Sequence, residues 1–347
     1  MKKILHHSHF QAEAFGHGGE KRTAQIVEHY KNLGYDIVEL EIKYNKSLSI
    51  ITLCKALKLI LCVYGISHFK NLIPFLKFWK SIALSLSSTE KYFNQDIDFF
   101  VWESVVDRYY YLPYLAKKHH VKVIAYPHNI ESLVPDYSIN SPTLKQRQFI
   151  REMEVLRMCN EVQSISRFDN SLMQLMGVNS MFFRYLPPSE FKNYLQRIKT
   201  QRVNKVEKNR YLILGTAHNP PTRKGMIYLI DKINQMSFTE DIQFIFAGYG
   251  TEQLKQFLNS PSIQIKGSLS KEDLETEMIY CTALLVYQPS TTGALTRISE
   301  FLVAGIPVFV NAEAAHSHYE MEGVNVYSNF NEFEQILNSL KSNLNTE

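Results

Sequence analysis

STTGALTRISEFLVAGIPVFV, residues 290–310, is the stretch whose reading decides the fold. A polar loop with a glycine, running through Thr292 and Gly293, opens a segment in which Ile298, Phe301 and Leu302 carry helical apolar spacing. Gly305 and then Pro307 are the stop signals of a helix, and Val308, Phe309 and Val310 read as a buried strand. A loop feeding a helix start offers unpaired N–H groups and the positive end of the helix dipole, which suits a phosphate. Glu300 lies two turns into that helix, where its carboxylate could accept hydrogen bonds from a ribose. An ordinary strand–helix–strand crossover with a solvated Glu300 fits the same pattern. For Arg297, three residues earlier, the plain reading is an i,i+3 ion pair with Glu300, worth about 0.2–0.5 kcal/mol.

Working outward, short apolar runs alternate with helical patterns along the whole chain. Strands are expected at 2–6, 36–42, 98–103, 122–126, 161–164 and 181–184. Helices are expected at 22–33, 106–119, 144–159 and 167–176, with a long helical region over 48–93. After Pro187 the pattern restarts, with strands at 211–215, 242–247, 263–266 and 283–286 and helices at 225–236, 252–258 and 271–281. This predicts an α/β chain of two Rossmann-like, doubly wound domains, 1–187 and 188–330, facing each other across a cleft. Such sheets bind ligands outside the carboxyl ends of their strands, so the cleft is the expected site. A polar helix is expected over 331–347.

With 45% hydrophobic and 21% charged residues over 347 positions, the chain is long and apolar enough for two cores. Four scattered cysteines lack metal-ligand spacing and read as reduced thiols. The apolar run of MKKILHHSHF is too short for a signal peptide, so a cytoplasmic location is expected. His6, His7 and His9 read as core and loop residues. Charge is uneven: residues 1–200 carry a net +8 and residues 201–347 a net −4. Between Lys43 and Lys91, eight lysines face one acid, Glu90, and are interleaved with Leu, Ile, Phe and Trp. Lysines 55 and 58, like 77 and 80, share a helix face. This region fits either a helix in an anionic membrane interface or a core helix with a solvated lysine edge. Lysines interrupt every window long enough to span a bilayer. Few arginines and no nucleic-acid motif argue against DNA or RNA.

The opening stretch resembles the donor-sugar motif of retaining glycosyltransferases of the GT-B fold, family 4. That motif is Glu, seven residues, Glu, then a helix followed by small-Gly-x-Pro-Val. Glu300 matches the second Glu, and Ala304-Gly305-Ile306-Pro307-Val308 follows it. Gly293 stands where a loop glycine is usual, and Thr292 replaces the first Glu, which touches the donor sugar in the family. The resemblance extends to Gly16-His17-Gly18-Gly19-Glu20-Lys21-Arg22, a Gly-Gly loop near the donor phosphates, and to Tyr126-Pro127-His128-Asn129, whose His lies by the sugar. It implies a diphosphate ligand at Lys224, in Arg223-Lys224-Gly225. The family's strand-end Arg is absent, Thr216 and Ala217 standing in its place, and Arg223 or Arg297 is expected to substitute. Gly248 belongs to the Gly-x-Gly turn, while Lys266 and Gly267 occupy the loop that binds the base.

The resemblance thus implies a hexosyltransferase that takes a nucleotide diphosphate-sugar as substrate and uses no cofactor and no metal, with the 331–347 helix packing back toward the first domain. The acceptor would be a saccharide or a lipid-linked one, as in polysaccharide biosynthesis. Retention would let the leaving phosphate take the acceptor proton, whereas inversion would need a base, for which Glu20, His17 or Glu131 stand. The alternative is a glycosyltransferase-like partner or nucleotide-sugar-binding protein that has lost catalysis.

Overall fold

A computed structural model describes residues 2–44, 48–65, 72–103, 105–134, 141–207, 209–236, 242–289, 292–329 and 331–335. The chain forms two compact units, Met1–Arg184 and Tyr185–Glu347. Each is built on a six-stranded, all-parallel sheet.

The first unit orders its strands β2-β1-β3-β4-β5-β6. They are β1 (Lys2–His7), β2 (Tyr35–Glu39), β3 (Phe99–Trp102), β4 (Lys122–Ala125), β5 (Glu161–Ser164) and β6 (Ser180–Phe182). Strand alternation sends Leu5, Phe100 and Trp102 into one core, and Ile4 and Val101 into another on the opposite face. The first core takes the inner sides of α2 (Ile50–Val63), α3 (Leu72–Phe93), α4 (Tyr111–Lys118) and α5 (Pro142–Met158); the second takes Ile26 and Tyr30 of α1 (Gly18–Asn32). The helix expected over 106–119 is split. A 3-10 turn, Asp107–Tyr109, precedes α4, which starts so that Pro113 falls in its first turn, where no N–H is needed.

The second unit orders its strands β12-β11-β10-β7-β8-β9. These are β7 (Arg210–Leu214), β8 (Gln243–Ala247), β9 (Ile263–Gly267), β10 (Ala283–Val286), β11 (Val308–Asn311) and β12 (Val324–Tyr327). After α6 (Arg167–Leu175) of the first unit, α7 (Ser189–Arg202) opens the second; α8 (Pro220–Gln235), α9 (Lys271–Tyr280) and α10 (Thr296–Val303) lie between its strands, and a short α11 (Ala312–Ala315) precedes β12. In both units the chain reverses direction across the sheet beside the first strand, between β1 and β3 and between β7 and β10. These are the switch points where doubly wound sheets open a crevice.

Residues 331–335 are helical. The rest of the helix expected over 331–347 lies outside the described residues, as do 66–71 of the basic region and Ser290 and Thr291 of the opening loop. No helix among the described residues is long and apolar enough to cross a membrane.

Candidate functional site

In the second unit the strand-end loops of β7 and β8 lie on each other. Gly248 has φ +124°, and a Cβ on it would overlap the Gly215 carbonyl oxygen. The Gly215 N–H donates to the Ala247 carbonyl at 3.1 Å, and the Ala217 N–H to the Tyr249 carbonyl at 2.8 Å. Beside them α8 begins at Pro220, five residues before the expected start at 225. Two prolines look like a loop in sequence, but proline at the first helical position fits the required φ and leaves no N–H unused. Arg223 and Lys224 therefore stand in the first turns of the helix, Arg223 half-buried and Lys224 exposed. Gly225 faces the chain after β10, where a Cβ would overlap the Tyr287 carbonyl oxygen. Gly225→Ala is expected to push α8 off the sheet and to cost about 1–3 kcal/mol, measured by denaturant unfolding.

That close approach brings Thr222 of α8 to Gln288, whose side-chain oxygen accepts from the Thr222 hydroxyl at 3.3 Å. Asn311 holds the Gln288 backbone from both sides, accepting from its N–H at 2.8 Å and donating to its carbonyl at 2.9 Å. Arg297 reaches into the same place from the first turn of α10. One guanidinium nitrogen donates to Gln288 Oε1 at 3.1 Å, and another lies 3.2 Å from the point where Gly215 would carry a Cβ. Its Nε is buried without a hydrogen-bond partner. Among the described residues no carboxylate pairs with Arg297. Burial pushes its pKa down to about 10, with Glu300 opposing, so it remains a cation at neutral pH. The plain reading of Arg297 as the ion-pair partner of Glu300 therefore does not hold; Glu300 is buried and accepts at Oε1 from the Tyr185 hydroxyl at 3.0 Å.

Thr292 and Gly293 are buried, and Gly293 has φ +80°. His316 ties this loop to the end of α11, one ring nitrogen 3.1 Å from the Gly293 carbonyl and the other 2.6 Å from that of Glu313. Gly267, at φ +71°, accepts from the Gly248 N–H at 2.8 Å. Lys266 turns away to Glu277 at 2.5 Å, a carboxylate that also takes Arg210 at 2.8 Å.

In the first unit, Gly18 and Gly19 are the opening residues of α1, four residues before the expected helix start. His17 caps that helix: its Nδ1 accepts from the Gly19 N–H at 3.1 Å, while the Glu20 carboxylate accepts from the His17 N–H at 2.8 Å. The two candidate bases of the loop thus serve as each other's cap. Gly19 lets Phe10 approach, since a Cβ would stand 2.8 Å from its ring. Phe10 in turn stacks on His128, centroids 5.3 Å apart.

Sequence reading missed the centre of this end of the sheet. Glu103 follows β3 and is buried beside the ends of β1 and β4. Its Oε1 pairs with His6 Nε2. Its Oε2 accepts from the Thr23 hydroxyl at 2.6 Å and lies 3.1 Å from His128 Nε2. His6 also meets the Glu39 carboxylate at 2.9 Å through Nδ1. Burial alone would lower the His6 pKa, yet Glu103 and Glu39 hold it up at about 10. Burial alone would raise the Glu103 carboxyl, but His6 and His128 keep it well below the carboxylate range.

The segment after His128 is held from α5. Glu152, fully buried, accepts from the N–H groups of Glu131 at 2.8 Å and Ser132 at 2.9 Å. Burial pushes its pKa up to about 7, although the Ser132 bonds oppose the shift. The folded state then binds the proton more tightly than the unfolded chain. Stability from this group is complete below the ordinary value near 4.5 and is lost as pH rises through about 7. Glu152→Gln is expected to remove about 1–3 kcal/mol of that pH-dependent difference between pH 5 and pH 8, read by urea unfolding of both proteins. No group of three or more His, Cys, Asp or Glu among the described residues has the arrangement to hold a metal ion.

Two parallel doubly wound units with crevices at their strand ends define the GT-B class of fold. Solved structures of that class match nearly the whole chain. Sucrose-phosphate synthase from Thermosynechococcus elongatus aligns with a TM-score of 0.62 at 10% identity, over 99% of this chain and 90% of its own. The Anabaena HepE protein in complex with UDP-glucose aligns at 0.61 and 14% identity, over 99% and 91%. An E. coli trehalose-6-phosphate enzyme structure bound with UDP-2-fluoro glucose aligns at 0.61 and 11% identity, over 100% and 92%. No protein-family model matches the chain, and no curated protein matches it in sequence.

Proposed function

We propose that the chain is a glycosyltransferase of the family 4 type, moving a sugar from a nucleotide diphosphate-sugar to a saccharide or lipid-linked acceptor with retention and without an essential metal. The observation that carries this reading is Arg297: a cation with an unpartnered buried N–H, fixed on Gln288 at the β7/β10 switch point. As the bond from the anomeric carbon to the β-phosphate oxygen breaks, its electron pair passes to that oxygen. Preorganised positive charge and N–H dipoles stabilise the departing diphosphate. Arg297 takes the place of the family's absent strand-end Arg, with Lys224, Arg223 and the Thr292–Gly293 loop beside it in role. Glu300 holds the ribose, the turns at Gly248 and Gly267 face the base, and Gly18, Gly19 and His128 act on the sugar side. The acceptor oxygen bonds to the anomeric carbon on the face the diphosphate leaves, and its proton goes to the leaving phosphate.

The test is thermal unfolding against UDP, GDP, ADP, dTDP and CMP, with and without Mg²⁺. UDP comes first, because HepE and the E. coli enzyme structure hold UDP-sugars. A ligand at a hundred times its Kd adds about 2.7 kcal/mol, which is readily seen as a rise in Tm. A rise with one diphosphate and no metal requirement is expected; no rise with any of them overturns the reading. Thr292→Glu tests the non-catalytic alternative: turnover is expected to fall, because Thr292 is fitted to the donor, and a gain would favour decay.

A lipid-linked acceptor is supported by the outer faces of α2 and α3. Ile50, Ile51, Leu61, Leu72, Ile73 and Leu76 are 43–79% exposed. Lys55 and Lys58 lie among them and rim a cavity of about 350 Å³ floored by Leu59, Leu86 and Leu115. Lone exposed aliphatics are ordinary, but six on two packed helices with lysines between them suit an anionic bilayer surface. Sedimentation with vesicles is expected to require anionic lipid and to fail for Lys55→Glu/Lys58→Glu. Binding that ignores lipid charge would sink this surface.

A further inference from the structure

We propose that Glu103 is a positioning residue that fixes His128 for the reaction, orienting the imidazole through Nε2 at the end of a Glu39–His6–Glu103–His128 chain. The proposal deepens the transferase reading, which places His128 at the sugar, but it stands on the geometry of the first unit. Glu103 is the hub. One oxygen is committed to His6, and the other is shared between the Thr23 hydroxyl and His128. The hub is set by the fold: the Glu103 N–H donates to the His7 carbonyl at 2.9 Å, and the Tyr126 N–H to the Trp102 carbonyl at 2.8 Å, which aligns the ends of β1, β3 and β4. Phe10 stacks on the His128 ring and restricts its plane.

Charge counting gives the direction. Glu39 and Glu103 are carboxylates and His6 is a cation, so the three together carry a net −1 against which His128 is set. Glu131 adds a second negative field. Opposing them is His9, itself near Arg108 and His17. The contact at 3.1 Å to Glu103 is the closest of these interactions and favours the imidazole with Nε2 protonated. A carboxylate placed against one ring nitrogen selects the tautomer and fixes the ring orientation, as in other Asp–His and Glu–His pairs.

The experiment is nitrogen-15 NMR of the histidine rings in the full chain, with the His128 signal assigned by its loss in His128→Gln. Neutral His128 is expected as the Nε2–H tautomer in the wild-type protein, and Glu103→Gln, whose amide can donate as well as accept, is expected to let the Nδ1–H tautomer appear beside it. A Nδ1–H tautomer in the wild type, or an unchanged tautomer in folded Glu103→Gln, overturns the proposal. Should Glu103→Gln not fold, the wild-type tautomer decides alone. Because the readout is a ring signal and not turnover, failure of the transferase reading leaves this result intact, and the reverse also holds.

Discussion

Replacing Arg297 by alanine is expected to lower kcat for sugar transfer about 10²–10³-fold, the loss seen when a donor aimed at a developing anion is removed. Arg297 is held by Gln288, and Gln288 by Asn311, so its guanidinium is ordered before any ligand arrives. Burial already weakens its hold on its proton, which marks it as a cation placed in low dielectric. A phosphate there would gain the full benefit of that placement. Arg297→Lys should rescue little, because a lysine keeps the charge but loses the Nε donor and the planar fork. Initial rates and a nucleotide thermal shift on the same variants separate the effects. A kcat within threefold of wild type for Arg297→Ala would remove this residue from the proposed phosphate site.

His6→Ala carries the largest expected stability effect, about 3–5 kcal/mol, because it leaves the Glu103 carboxylate buried without its cation. The loss should depend on pH in a definite direction. His6 titrates near 6.5 when unfolded and near 10 when folded, so its contribution is complete below 6.5 and fades as pH rises toward 10. Urea unfolding at pH 7 and at pH 9.5 should therefore show the gap between wild type and variant closing. A gap below about 1 kcal/mol at pH 7 would mean that the pair contributes no more than an exposed one.

Much of the second unit was legible in sequence because its signals are local. Gly305 and Pro307 end α10 within a few residues of Glu300, and the 225–236 helix was misplaced only at its start, where Pro220 and Pro221 imitate a loop. The edge strand β12 was missed: Val324–Tyr327 is four residues long and only partly buried, too short for a periodic signal. The centre of the first unit was not legible for a different reason. His6 and Glu103 are 97 residues apart, and nothing near either one reports the other. One clue existed: Glu103 is an acid directly after the apolar run Phe99–Trp102, at the carboxyl end of a strand, where a doubly wound sheet presents its ligands. Similarly, the cap formed by His17 and Glu20 hides behind a histidine that stands where Ser or Thr is usual.

The cysteine distribution has a practical consequence. Cys159 and Cys281 are buried, whereas Cys54 and Cys62 are exposed on α2, among the aliphatic and lysine side chains of its outer face. Burial also pushes the Cys159 and Cys281 thiols up, Cys281 to about 11, so a maleimide at neutral pH should label α2 selectively. The unmodified chain therefore carries its own attachment points for an environment-sensitive dye. Quenching of that dye by brominated lipids would report whether this helix enters a bilayer.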